Sequence, residues 1–123
     1  MIPENVKKLL KRWKLIYFAT SSKEGIPNLI AAESCGLMNE KIAIADCHFN
    51  KTLSNLKENS NVAVIASGKK EWYQIKGTSE YLTSGKDFDK AAKMLEGTDF
   101  KAKGLVLISI KEIYDLNSCK KIL

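Results

Sequence analysis

The sequence is poor in the residues that build metal sites and nucleic-acid contacts. It has one histidine, His48, and one arginine, Arg12, in 123 residues. A lone histidine cannot supply a His-rich metal site. The three cysteines, Cys35, Cys47 and Cys119, are odd in number, widely spaced and without a CxxC pair. Neither a structural zinc site nor a disulfide framework is expected. No apolar run is long enough to cross a bilayer, and the N-terminus lacks the apolar segment and small-residue cleavage site of a secretory signal. The expected location is therefore cytoplasmic, with no membrane partner. The formal net charge of +6 is almost entirely lysine. Nucleic-acid readers favour arginine for bidentate contacts to guanine and phosphate. Scattered lysines point instead to a solvated surface or a small anionic ligand, and no nucleic-acid partner is expected.

What is present fits one ordinary domain, residues 1–123, with 45% hydrophobic content and a single core. "PENVKKLLKRWK" places Val6, Leu9, Leu10 and Trp13 at helical spacing, which predicts an amphipathic helix with Trp13 in the core. "LIYFATSS" reads as a strand, "KEGIP" as a turn, and "NLIAAESCGLM" as a second extended segment. "KIAIAD" is a third strand and "KTLSNLKENS" a short helix with Leu53 and Leu56 on one side. "NVAVIAS" and "WYQIKGTSEYLT" are the fourth and fifth strands, with Gly77 marking a bend or bulge. "GKDFDKAAKMLEG" returns to helical spacing, with Asp87 as its expected cap. "GLVLISIKEIYDL" is the sixth strand, broken near Lys111, and "NSCKKIL" has no clear period. Short turns favour antiparallel pairing, and the absence of strand–helix alternation disfavours a doubly wound parallel sheet. A closed or partly closed antiparallel barrel with flanking helices is the expected architecture.

Polar residues gather where the third strand hands over to the short helix: Cys47, His48, Asn50, Lys51 and Thr52. If Asn50 caps that helix, Lys51 and Thr52 begin it. The first N–H groups of a helix lack internal partners and carry partial positive charge, so an anion there gains amide donors, the Thr52 hydroxyl and the Lys51 ammonium. This is not a P-loop, because the glycines of that motif are absent. The plainer alternative is that Asn50 caps the helix and Lys51 points to water.

The order and spacing of "IYFATSSKEGIPNLIAAES", "KIAIADCHFNKTLSNLKENSNVAVIAS" and "YQIKGTSEYLTSG" resemble the FMN-binding split barrel of the pyridoxamine 5′-phosphate oxidase superfamily. The chain is similar in size to that superfamily's small homodimeric FMN-binding proteins. The resemblance implies a mainly β fold, a six-stranded antiparallel Greek-key split barrel of the FMN-binding type with flanking helices. It also implies an FMN phosphate at Lys51 and Thr52, with Asn50 just before them in the cofactor site and Ala45, Asp46 and Cys47 along the flavin. Glu33, Ser34 and Cys35 would contribute from the second strand. A homodimer with flavin at the interface would bring in Trp72 and Gln74 from the partner's fifth strand. The arginine motif expected for pyridoxamine 5′-phosphate oxidation is missing from "NSCKKIL".

The resulting functional expectation is an FMN-dependent oxidoreductase or electron carrier, in which the protein binds, orients and tunes the cofactor. The alternative is a non-catalytic module holding a flavin, a deazaflavin or haem, with His48 as an axial ligand in the haem case. Trp72 could stack on a cofactor or plug a barrel end or dimer seam. A Cys47–His48 thiolate pair is disfavoured, because sequence neighbours on a strand point to opposite faces.

Overall fold

The computed structural model describes residues 2–123. A short helix, α1 (Glu4–Lys7), tightens into a 3₁₀ turn at Lys8–Leu10. The strands β1 (Leu15–Ser21), β2 (Pro27–Glu33), β3 (Leu37–Met38) and β4 (Lys41–Asp46) follow. Then come α2 (Lys51–Glu58), β5 (Asn61–Ser67), β6 (Trp72–Leu82), α3 (Lys86–Met94), β7 (Gly104–Asp115) and β8 (Lys120–Lys121). The strands form one antiparallel sheet in the order β2-β1-β5-β6-β7-β4-β3, with β8 paired to β7. The non-sequential neighbours β1–β5 and β4–β7 come from the crossovers that Greek-key connections make.

Among the described residues, eight strands stand where six were expected. The extended segment 28–38 is split by Gly36, whose backbone lies in the left-handed region, and the unpatterned tail adds β8. The split sets the shape of the barrel. Residues 27–33 pair with β1, whereas the Cys35 N–H donates to the Ala43 carbonyl and the Ala43 N–H to that of Gly36. One segment thus changes partner from β1 to β4. The ladder between β2 and β4 is left open, and the barrel is closed only in part.

Alternation along the strands fills the interior. Ile16 and Phe18 of β1, Ile42 and Ile44 of β4, Val64 of β5, Ile75 of β6 and Val106, Ile108 and Ile113 of β7 form the main core. Ile2, Val6, Leu9 and Leu10 pack against it from the N-terminal turn. Burying side chains of this kind stabilises by roughly 1.5–3 kcal/mol each before entropy is counted. A second cluster, Cys35, Met38, Ala43, Leu105 and Leu107, is roofed by Ala91, with Phe88 and Met94 of α3 alongside.

The expected bulge and the expected break are one feature. Lys76 pairs with Glu112 but Gly77 pairs with Ile110, so Lys111 is the extra residue. A Cβ on Gly77 would lie 2.1 Å from the Ser109 carbonyl oxygen, so the ladder requires glycine there. Three expectations fail at helix ends. Trp13 is 41% exposed, outside both clusters, because the helix stops at Leu10. Asn50 occupies the N-cap of α2 but makes no capping side-chain bond, and Gly85, not Asp87, precedes α3.

Candidate functional site

The open seam of the barrel is a cleft of about 650 Å³, a size typical of cofactor and substrate sites. One wall is β2, with Asn28, Ile30, Ala31, Ala32 and Glu33. β2 ends the sheet, so alternate N–H and C=O groups along its free edge face away from β1. The other wall is Ala45, Cys47 and the turn from His48 to Thr52. Leu95 and Phe100, from the connection after α3, close the top, while Trp13 and Leu15 close the end near Glu33.

The start of α2 opens into this cleft. With no side-chain cap from Asn50, the first amides of the helix are left to an external acceptor. Thr52 is buried, and its hydroxyl accepts a bond of 3.1 Å from the Asn28 side-chain amide. Its own proton is thereby free to donate. Lys51 is exposed beside it and joins none of the ion pairs among the described residues.

Seven of the expected site residues meet here: Glu33, Cys35, Ala45, Cys47, Asn50, Lys51 and Thr52. Asp46 does not. Strand alternation turns it inward with Ile42 and Ile44, where it is fully buried. Its carboxylate accepts the Phe49 N–H at 2.8 Å and the Tyr81 hydroxyl, so it fixes the turn that leads into α2. Gly104 leaves room for that phenol, since a Cβ there would overlap the Tyr81 ring. Ser34 is likewise committed: its hydroxyl donates to the Leu10 carbonyl at 2.8 Å and accepts the Gly36 N–H at 2.9 Å. Trp72 and Gln74 lie on the outward face of the sheet, outside the cleft. Gln74 shares a cross-strand row with Ile65, Tyr17 and Tyr114.

Burial, and then the charge of Asp46, pushes the Cys47 thiol above its ordinary value; burial does the same to Cys35. Both shifts favour the protonated thiol over the thiolate that nucleophilic chemistry uses. No cluster of three or more His, Cys, Asp or Glu residues is placed to hold a metal among the described residues. No helix among them is long and apolar enough to cross a membrane.

Asn28, Ile30, Phe49, Leu95 and Phe100 were not singled out by the sequence. Asn28 and Ile30 share the inward phase of β2 and could have been found from it. Leu95 and Phe100 reach the cleft from a distant connection and leave no local signal.

A family model described as pyridoxamine 5′-phosphate oxidase matches residues 2–117. The chain belongs to the pyridoxamine 5′-phosphate oxidase-like superfamily. An uncharacterized protein of Methanocaldococcus jannaschii is 39% identical over 115 residues, covering 85% of this chain and 74% of that protein. Among solved members of this fold, HupZ of Group A Streptococcus superposes with a TM-score of 0.88 at 21% identity, over 100% of both chains. An FMN-binding protein of Syntrophomonas wolfei superposes at 0.78 with 18% identity, over 92% and 84%. The same architecture carries HutZ of Vibrio cholerae, described as a haem storage protein, at a TM-score of 0.70, 14% identity and 94% and 95% coverage. It also carries an F420 reductase at 0.70, 18% identity and 91% and 98% coverage. At these identities the likenesses establish the split-barrel fold, and the descriptions of these neighbours point to different ligands.

Proposed function

We propose that this protein binds FMN in the seam of its barrel and works as a flavin-dependent oxidoreductase or electron carrier. The uncapped start of α2 is the observation that carries this reading. A phosphate there would receive helix amides, the free Thr52 proton and the Lys51 ammonium, the donor set expected for a dianion. The residues present fit the rest of the group. Ile30 and Ala32, on the inward phase of β2, offer an apolar surface for a flat ring, and the free edge of β2 offers amides and carbonyls for ring heteroatoms. When bound, FMN supplies one- and two-electron chemistry that no side chain in the cleft provides. The chain's own contribution is to hold the phosphate, keep the ring against β2 and limit water through Leu95 and Phe100. Asp46 acts one step back, by fixing the turn that presents Lys51 and Thr52.

The second reading is haem binding without turnover. It is favoured by His48, which lines the cleft with its ring edge-on to Phe100 at 6.0 Å, and by the haem storage protein among the structural neighbours. Absorption of the purified protein separates the two: flavin bands support the first, a Soret band the second. Lys51→Ala is expected to weaken FMN about tenfold or more, with the thermal midpoint unchanged, because it removes a charge-assisted contact from an exposed residue. Unchanged affinity by calorimetric titration would take the phosphate away from Lys51.

A homodimer belongs to the same proposal. The outward faces of β1 and β2 expose Leu15, Tyr17 and Leu29, the last 68% exposed, and Trp72 lies on the same side of the sheet. A second copy on this face would cover the apolar surface and the end of the cleft at Leu15 together. It would also bring Trp72 and Gln74 of one protomer toward the cleft of the other.

A further inference from the structure

Trp13 is placed against local preference. Its φ is +74°, in the left-handed region that bulky residues avoid, and its neighbours hold it there. The Trp13 N–H donates to the Ser34 carbonyl at 2.7 Å, and the Ser34 N–H to the Lys14 carbonyl at 2.8 Å. The Ser34 hydroxyl ties the arrangement to Leu10. Such a conformation persists where the surroundings over-determine it, and it collects at binding sites.

The indole is not a core side chain. It belongs to neither apolar cluster and stays 41% exposed, yet it lines the cleft beside Leu15, Glu33 and Cys35. The Arg12 guanidinium lies 5.9 Å from its ring centre and steadies it from one side. This is the far end of the cleft from the anion cradle. Asn28, bonded to Thr52, and Glu33, beside Trp13, are five strand residues apart, roughly 17 Å.

We infer that Trp13 is a ring-stacking wall of the cleft, held in place by Ser34 to receive the planar aromatic ring of a molecule whose phosphate sits at Lys51 and Thr52. This inference rests on the FMN reading and adds the residue that selects for the flat ring. An electron-rich indole stacks well, offset, on an electron-poor fused ring, and the gain is separate from that of the phosphate.

The test titrates FMN, and riboflavin, which has the ring but no phosphate, by calorimetry into the wild type, Trp13→Gly, Trp13→Phe and Lys51→Ala. Glycine tolerates the left-handed backbone, so Trp13→Gly should keep or raise the thermal midpoint of the ligand-free protein. Its dissociation constants for both FMN and riboflavin should rise about three- to tenfold. Trp13→Phe keeps a ring and should stay near wild type, whereas Lys51→Ala should weaken FMN and leave riboflavin unchanged. Equal affinity of Trp13→Gly and wild type for both ligands overturns the inference and leaves the FMN reading intact. A fall of several degrees in the midpoint of both Trp13 variants overturns it in favour of packing. Conversion of a dimer to a monomer by Trp13→Gly, seen by sedimentation, overturns it in favour of a subunit contact. Failure of the wild type to bind either ligand overturns the inference and the FMN reading together.

Discussion

Tyr81 and Asp46 give the residue-level chemistry of the barrel a direction in pH. Burial first, and then the hydrogen bond to Asp46 and its charge, raise the pKa of the Tyr81 phenol above its ordinary value. A group whose pKa is higher folded than unfolded contributes stability that is complete below the unfolded value, near 10 for tyrosine, and is lost as pH rises through the folded one. Cys35 and Cys47 are shifted in the same direction, so the decline begins near their own ordinary range, about pH 9. Urea unfolding from pH 7 to 11 is expected to show a plateau followed by loss. Tyr81→Phe should be less stable than wild type by about 1–3 kcal/mol at pH 7, because it removes a hydrogen-bond partner from the buried Asp46. The same variant should lose less between pH 9 and 11. An alkaline slope as steep as that of wild type would show that the phenol does not carry the effect.

Among the elements, the bulge between β6 and β7 is the most exacting. Gly77→Ala puts a methyl group on a backbone oxygen that no rotamer change can move, and is expected to cost about 1–3 kcal/mol, read from the denaturant midpoint. This element was legible twice over, in Gly77 and in the interrupted pattern near Lys111, because a bulge needs an extra residue on one strand and suits a residue without a side chain on the other. The β4–α2 junction was legible for a similar reason: apolar alternation ends abruptly in polar groups with helix-starting chemistry. The N-terminal helix was overrun because "KRW" continues its spacing and no glycine or proline marks a stop; the left-handed turn falls on a tryptophan, against propensity. β3 and β8 are two residues each, too short for any period to show. Asp46 and Ser34 were placed at the cleft by position along the chain, yet the alternation that buries Ile42 and Ile44 already turned Asp46 away.

At the scale of the whole molecule, the proposed dimer would rest on the outward sheet face. The wild type is expected to sediment as a dimer. Leu29→Lys combined with Tyr17→Lys should give a folded monomer that binds FMN more weakly, because charges replace the exposed apolar patch. A folded monomer with full affinity would detach the cofactor site from assembly. Leu95 and Phe100 come to the cleft only through the whole fold, which is why no local pattern announced them. The partner change of residues 27–38 gives the barrel two half-sheets joined on that side by peptide bonds and a few amides instead of a full ladder. A ligand bound in the gap between them would act as a keystone. Retention of the occupant and resistance to heat then become a single property, and a stripped preparation would begin to breathe along that line before anything else gave way.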